Sequence, residues 1–336
     1  MACSEPRPRL AHPPARLDRR GAGAPLISIV IPAFDRPNLL EEALCSIAAQ
    51  TTDVPVEVIV CDDGRMARTR RVVQRFRDHG YRYLANPARL GAVGNWNRCL
   101  RSATGPWVMV LHEDDLLYPW CLECILPHLK AGVSAACMRT SRGSAPPRAR
   151  RPAGVPRSRC YRPGFFLKSS MTPFPGVLMR RDIALRLGGF DEHWGPVADY
   201  EFWYRLSCAG RIEVVQAVGA FYRVAPGQWT ERTWARMLRL AHLLRLRIAR
   251  EQFPESPRLG RSLARFFTLS NARCYLRRFG AGPADLIRCI GFRRCLLSRV
   301  PSGWVWEALK FASRPPGRHP WLDQDAGRAP QIQQAG

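Results

Sequence analysis

Lysine is almost missing from this chain. Of 336 residues only Lys130, Lys168 and Lys310 are lysines, so arginine supplies the other 49 of 52 basic side chains. Against 27 acids this gives a formal net charge of +25. An excess weighted so heavily to arginine also follows from GC-rich codon usage. By itself it leaves nucleic acid, anionic lipid and a phosphorylated substrate all open. No RRM, KH or helix-turn-helix signature accompanies the charge, so no nucleic-acid partner is expected. No run reaches the ~20 consecutive apolar residues that a spanning helix needs, which argues against an integral membrane protein. Residues 1–24 hold Pro and Arg but no apolar core of signal-peptide length, so a cytoplasmic chain is expected. The twelve cysteines lack pairing: Cys121 and Cys124 form a lone C-x-x-C, with no second pair at zinc spacing. They read as small apolar side chains in a reducing compartment.

Glycine-rich phosphate loops are missing too. There is no G-x-x-x-x-G-K-[ST], and no G-x-G-x-x-G follows the first apolar run; Gly91-Ala92-Val93-Gly94 is a poor match. P-loop and dinucleotide-binding enzymes are thereby disfavoured.

What is present is an alternation. Leu26-Ile27-Ser28-Ile29-Val30-Ile31 is a short, almost wholly apolar run closed by Pro32, as expected of a strand buried on both faces. Residues 38–49 then place Leu39, Leu40, Ala43, Leu44 and Ile47 at helical spacing. Val56 to Cys61 is a second strand, residues 68–78 a second amphipathic helix, and Trp107 to Leu111 a third strand. Strand, helix, strand, helix, strand with short connections predicts a doubly wound α/β sheet.

In such sheets ligands bind beyond the carboxyl ends of the strands. Those ends carry Ala33-Phe34-Asp35, Asp62-Asp63 and His112-Glu113-Asp114-Asp115, so acids converge on one crevice. Clustered carboxylates at buried strand ends call for a compensating cation, and oxygen ligands favour Mg²⁺ or Mn²⁺ together with a phosphate-bearing substrate.

Several segments then resemble the family 2 inverting glycosyltransferases of the GT-A fold. They are Ile29 to Arg36, Ile59 to Gly64, Asn86 to Leu100 leading into Val110 to Leu116, Gly188-Gly189-Phe190-Asp191-Glu192, and Ala198 to Trp203. The resemblance spans residues 26–223 and keeps the motifs in order. It implies a GT-A-like doubly wound, mostly parallel sheet flanked by helices, with a C-terminal helical region. It implies donor contacts from Pro32, Phe34, Asp35, Asp63, Asn97 and Glu113, with Phe34 against the nucleobase. Asp114 and Asp115 would hold the divalent cation, His112 standing at the first D-x-D position as a third candidate. Asp199 falls at the catalytic base. The activity implied is inverting, metal-dependent transfer from a nucleotide-diphosphate sugar, UDP-sugar by default, to an acceptor hydroxyl of a glycan or lipid-linked acceptor. The alternatives are a catalytically degenerate homologue and, from the charge, a basic nucleic-acid-binding protein. The chain departs from the usual pattern at His112, at Ala198 where an acid is frequent, and at Arg65 after Gly64.

The expected organisation is a disordered basic tail over 1–24, a GT-A domain over 25–231 with an Arg/Pro-rich mobile loop at 139–162, a basic helical region over 232–314 and a disordered tail over 315–336. In the helical region, residues 232–336 hold 20 basic and 6 acidic side chains. Arg236, Arg239, Arg245, Arg247 and Arg250 interleave with Trp234, Leu238, Leu244 and Ile248. That pattern, with Trp304 and Trp306, raises an anionic membrane surface as a peripheral partner.

Overall fold

Ile27, Ile29 and Ile31 of the first strand, β1 (Ile27–Ala33), pack into one hydrophobic cluster, and Val30 packs into another on the opposite face. A strand buried on both faces has no room for polar alternation. Its one polar residue, Ser28, is satisfied by the amides of Thr104 (3.2 Å) and Gly105 (2.8 Å). The computed structural model in which these contacts are seen describes residues 26–170 and 173–279, the last without the side chains of 273–279. The expected tails at 1–24 and 315–336, the expected helical segments around 284–297 and 304–311, and Trp304 and Trp306 lie outside the described residues.

The first helix, α1 (Pro37–Ala48), opens on a proline, whose fixed φ suits a helix start. It buries Leu40, Ala43, Leu44 and Ile47, the i, i+3, i+4, i+7 stripe that one helix face presents. Each such fully buried aliphatic side chain contributes about 2 kcal/mol. After β2 (Val56–Asp62), α2 (Ala67–Gln74) covers the same face, and α3 (Gly91–Ser102) covers the other with Val93, Trp96, Cys99 and Leu100. Between them lies β3 (Arg82–Ala85), which the sequence pattern does not announce, because it is exposed at both ends and only half-buried between.

Next come β4 (Trp107–Val110), the two-residue β5 (Leu116–Leu117) and α4 (Cys121–Ile125). They are followed by β6 (Val133–Gly143), β7 (Ser158–Tyr161), β8 (Val177–Arg180) and α5 (Arg181–Arg186). The chain then runs through α6 (Ala198–Ala209), β9 (Arg211–Arg223), α7 (Trp229–Gln252) and α8 (Pro257–Phe279). The sheet order is β3-β2-β1-β4-β8-β6-β9-β5, with β7 on β9. The first four strands are parallel, as the sequence pattern requires. Beyond β4 the sheet is mixed: β8 is antiparallel to both neighbours, β6 and β9 are parallel, and register shifts around Arg139 bend their ladder. The chain fills β1, β2 and β3 outward and then returns to lay β4 on the other side of β1. That reversal creates the crevice in which such sheets bind ligands.

Two expectations need correction here. The loop at 139–162 is narrower, since β6 runs to Gly143 and β7 begins at Ser158. Exposed Arg139, Arg142 and Arg159 mask the strand pattern, and a solvent-facing side of a strand tolerates them. The helices after residue 228 are not an appendage either. Leu244, Ile248, Leu263 and Phe267 belong to the same cluster as α3 and α6. Leu238, Leu244 and Ile248 of α7 therefore face the protein core, where a membrane reading needs them outward, while Trp229 and Leu243 are exposed. No described helix is long and apolar enough to cross a membrane.

A turn late in the chain locks the two halves together. Gly188 and Gly189 both have left-handed φ (79° and 73°), and a Cβ on Gly189 would lie 2.5 Å from Asn97 Oδ1. Gly80 has the same φ of 73° with nothing within 4 Å of its would-be Cβ. Gly80→Ala is expected to cost about 1–2 kcal/mol, the left-handed strain alone. Gly189→Ala, which adds the clash, is expected to cost about 2–5 kcal/mol. Urea denaturation of the pair measures the difference; equal midpoints would remove the contact as its cause.

Candidate active site

A cleft of about 950 Å³ opens at the carboxyl ends of β1, β2 and β4 and continues beneath α7. Pro32, Phe34, Asp63, His112, Glu113, Asp114 and Asp199 all line it. These residues are far apart in sequence, and the crossover topology brings them to one cavity.

The two acids ending β2 do different work. Asp62 faces the turn: its carboxylate accepts from the amides of Gly64 and Met66 (both 2.9 Å) and from the Tyr83 hydroxyl (2.8 Å). Asp63 faces the cleft and accepts from Asn86 Nδ2 (2.8 Å) and from the amides of Leu90 (2.7 Å) and Gly91 (2.9 Å). The last two are free donors at the start of α3, where a carboxylate is favoured by both hydrogen bonding and the helix dipole. Asp63 thus anchors α3 through both oxygens, Oδ1 taking Leu90 and Oδ2 taking Gly91, and lines the cavity.

After β4 the chain places four polar residues in a row. His112 packs against the rings of Trp96 and Phe174, with centroids 5.5 and 4.5 Å away. Burial lowers its imidazole pKa below the usual value, so the ring is neutral near pH 7. Its Nε2 is buried without a partner among the described residues. Glu113 accepts from the Phe34 amide (2.9 Å), and burial pushes its carboxyl up to about 7. Asp114 accepts from Arg36 Nη1 (2.6 Å) and Gln228 Nε2 (3.2 Å). Asp115 lies under the cleft floor, fully buried; one oxygen takes the Arg223 amide (3.0 Å) and the other has no partner among the described residues. Burial, with Asp114 next to it, pushes its carboxyl well above the ordinary range.

Donor atoms of His112, Asp114 and Asp115 lie within 4.8 Å of one another. The unmatched Asp115 oxygen, with His112 Nδ1 3.9 Å from it, fits a divalent cation, and a nitrogen ligand favours Mn²⁺ over Mg²⁺. Arg36 competes for the same Asp114 oxygen.

Asp199 stands at the start of α6, half-buried on the cleft wall. It is not the helix cap, which is Val197; its Oδ1 accepts from the Tyr200 amide (2.7 Å). Burial raises its pKa to about 6, partly offset by that hydrogen bond. A carboxylate so tuned is ionised near neutrality yet basic enough to take a proton.

Three expected site residues do not line the cleft. Asp115 is one. Asp35 is exposed in a left-handed conformation (φ 57°), which turns the chain so that Phe34 and Arg36 on either side face the cavity. Asn97 is buried on α3, where it accepts from the Phe190 amide and donates to the Phe190 carbonyl, both at 2.8 Å. Both ends of its amide are engaged by Phe190, so it clamps the Gly188–Phe190 turn. Glu201, from the same late motif as Asp199, is buried and paired with Arg205 (2.8 Å) and Arg247 (3.1 Å). Sequence reasoning missed Arg36, Trp96, Arg223, Gln228 and Arg245. Arg223 donates through Nε to the Asp114 carbonyl (2.9 Å) and through Nη2 to Glu42 (2.6 Å). In an arginine-rich chain no local pattern marks these residues.

Residues 28–187 match the family model described as Glycosyl transferase family 2. Among curated relatives, the Uncharacterized protein MT1568 of Mycobacterium tuberculosis is 30% identical over 202 residues, covering 54% of this chain and 62% of that protein. The GalNAc(5)-diNAcBac-PP-undecaprenol beta-1,3-glucosyltransferase of Campylobacter jejuni is 34% identical over 111 residues, 32% of this chain and 36% of that one. The chain therefore spans less than two thirds of either relative. Among solved structures, TarS 1-349 of S. aureus superposes with a TM-score of 0.56 at 16% identity, covering 80% of this chain and 81% of that one. The mannosyltransferase PcManGT of Pyrobaculum calidifontis, in complex with GDP-Man and Mn²⁺, gives 0.53 at 18% identity, covering 86% and 84%. The fold is of the GT-A type, and the matches support glycosyl transfer as the general chemistry.

The clamp assigned to Asn97 has a direct check. Asn97→Ala leaves two buried backbone groups unmatched, at about 1–3 kcal/mol each. A fall in stability of that size is expected on urea denaturation, and an unchanged midpoint would free Asn97 for a ligand.

Proposed function

We propose that this chain is an inverting glycosyltransferase that moves a sugar from a nucleotide-diphosphate sugar, with UDP as the default nucleotide, to an acceptor hydroxyl in the synthesis of a polysaccharide or glycolipid. The observation that carries the reading is the presence of Asp199, with its pKa raised to about 6, in the same cleft as the acidic ends of β1, β2 and β4. A base and a cation-and-phosphate floor in one cavity are what a single in-line displacement needs. The likeness to a fold that elsewhere holds GDP-Man with Mn²⁺, and to an enzyme named for a diphosphoundecaprenol-linked glycan, supports the same reading.

In this reading the nucleobase lies at the Phe34 end. Phe34 is 44% exposed, with the Arg89 guanidinium 4.6 Å over its ring, so one aromatic face is already cation-backed. Asp63 takes the base or ribose with the acceptor capacity that α3 leaves free, and Pro32 shapes the pocket beside it. Glu113 positions this end by holding the Phe34 amide. His112, Asp114 and Asp115 would hold the divalent cation, which when bound neutralises charge growing on the leaving diphosphate. Arg36 adds a second positive charge at the same place through Asp114. Asp199 takes the proton from the acceptor hydroxyl as its oxygen attacks the anomeric carbon, and attack opposite the leaving group inverts that centre.

A thermal-shift panel of nucleotide sugars with and without Mn²⁺ tests the donor and the metal together. A rise with at least one sugar nucleotide, larger with Mn²⁺ and lost in Asp114→Ala, is expected. No shift with any of them would sink the reading. Asp199→Asn is expected to abolish transfer while leaving donor affinity within a few-fold. Because the base works ionised, the wild-type rate should be flat above pH 7 and fall about tenfold per unit below about pH 6. A rate that rises as pH drops through that range would exclude Asp199 as the base.

A further inference from the structure

Among the described residues, Arg245 has no acidic partner. It lies on α7, is 2% exposed and lines the cleft. Its Nε donates to the Leu167 carbonyl (3.2 Å), and its Nη1 has no partner among the described residues. Two residues further on, Arg247 shows the ordinary arrangement, paired with Glu201 (3.1 Å) and Glu251 (2.9 Å). Burying a guanidinium group with one arm unmatched is strongly unfavourable, and proteins keep such a group where it meets a ligand.

A second unmatched donor lies on the same wall. The Oγ of Ser170 is buried, without a partner among the described residues, and Ser170 also lines the cleft. The chain leading to it is pinned to the helices by Arg245 at the Leu167 carbonyl and by Asn271 Nδ2 at the Lys168 carbonyl (3.3 Å). The Arg245 guanidinium also stands 5.5 Å from the centre of the Tyr200 ring, and Tyr200 follows Asp199 in α6. Arg245 and Ser170 therefore line the same cleft as Asp199, and neither hydrogen-bonds to the acids at the β1–β2–β4 end that accounts for the donor diphosphate.

We propose that Arg245 and Ser170 form an anion-binding subsite that takes a phosphate, diphosphate or carboxylate group of the acceptor and so sets the attacking hydroxyl against Asp199. The proposal rests on the glycosyltransferase reading. A planar guanidinium arm with a hydroxyl beside it suits a tetrahedral or carboxylate oxyanion, and the dry surroundings strengthen the contact.

The test uses the full chain, saturated with the nucleoside diphosphate that stabilises it best, so that the donor end is filled. Isothermal titration with inorganic pyrophosphate and, separately, with glucuronate then reads the subsite. One of the two is expected to bind, and Arg245→Gln to weaken it at least tenfold with nucleotide affinity unchanged within twofold. Pyrophosphate binding assigns a phosphorylated acceptor, glucuronate binding a uronate-bearing one. Binding of neither, or equal binding by Arg245→Gln, overturns the subsite. If Arg245→Gln does not fold, Ser170→Ala decides: at least a threefold loss supports the proposal and no loss overturns it. If no nucleoside diphosphate binds, the transferase reading fails. The anion titration of the nucleotide-free chain then stands alone, where loss in Arg245→Gln keeps the subsite and no loss removes it.

Discussion

The cleft depends on holding carboxylates together at the ends of buried strands. Five acids, Asp62, Asp63, Glu113, Asp114 and Asp115, gather where β2 and β4 end, and each is compensated in a different way. Backbone amides take Asp62, the first amides of α3 take Asp63, the Phe34 amide takes Glu113, Arg36 takes Asp114, and the Arg223 amide takes half of Asp115. Each compensation also places something. Asp63 fixes where α3 begins, Glu113 fixes the loop that presents Phe34, and Arg223 ties the end of β9 to the acidic run. The electrostatic problem and the geometry of the site are thus one problem. The oxygen left unmatched on Asp115, fully buried, is the point at which compensation from the chain runs out.

How far the sequence reveals this follows from the range of the interactions. The parallel half is legible because its signals are local: β1 reads as buried from its own residues, and α1 from its own apolar stripe. The acids at the strand ends are legible for the same reason, since a strand end is where the apolar run stops. Asn97 and Asp35 belong to recognisable motifs, but which side of the backbone each faces is decided by contacts about ninety residues away and by a left-handed turn. Arg223, Gln228 and Arg245 are invisible beforehand. Among 49 arginines nothing distinguishes the one that a fold will bury. The end of β6 and the start of β7 hide in the same way, behind arginines on solvent-facing sides.

The arginine excess resolves into distinct uses. Arg205 and Arg247 surround the buried Glu201 and hold α6 to α7. Arg36 and Arg223 balance the acidic floor. Arg236, Arg239 and Arg250 are exposed on α7, whose Leu238, Leu244 and Ile248 are buried in the protein. An exposed basic row with its apolar face already occupied attracts anions through long-range steering, which weakens with salt. It lacks the free apolar face that anchors an amphipathic helix in a bilayer.

The imidazole of His112 alters the charge balance of the floor. A carboxylate in its place would put one more negative charge beside Asp114 and Asp115, of which the latter is already pushed toward protonation by burial. A neutral ring, packed against Trp96 and Phe174, supplies a lone pair without that repulsion. The cost is weaker attraction for a hard cation, since charge count governs how tightly oxygen sites hold Mg²⁺. With Arg36 already at 2.6 Å from Asp114, the floor is closer to neutral than its run of acids implies. Such a balance suits the proposed donor, which would bring both a cation and phosphates, better than it suits a cation alone.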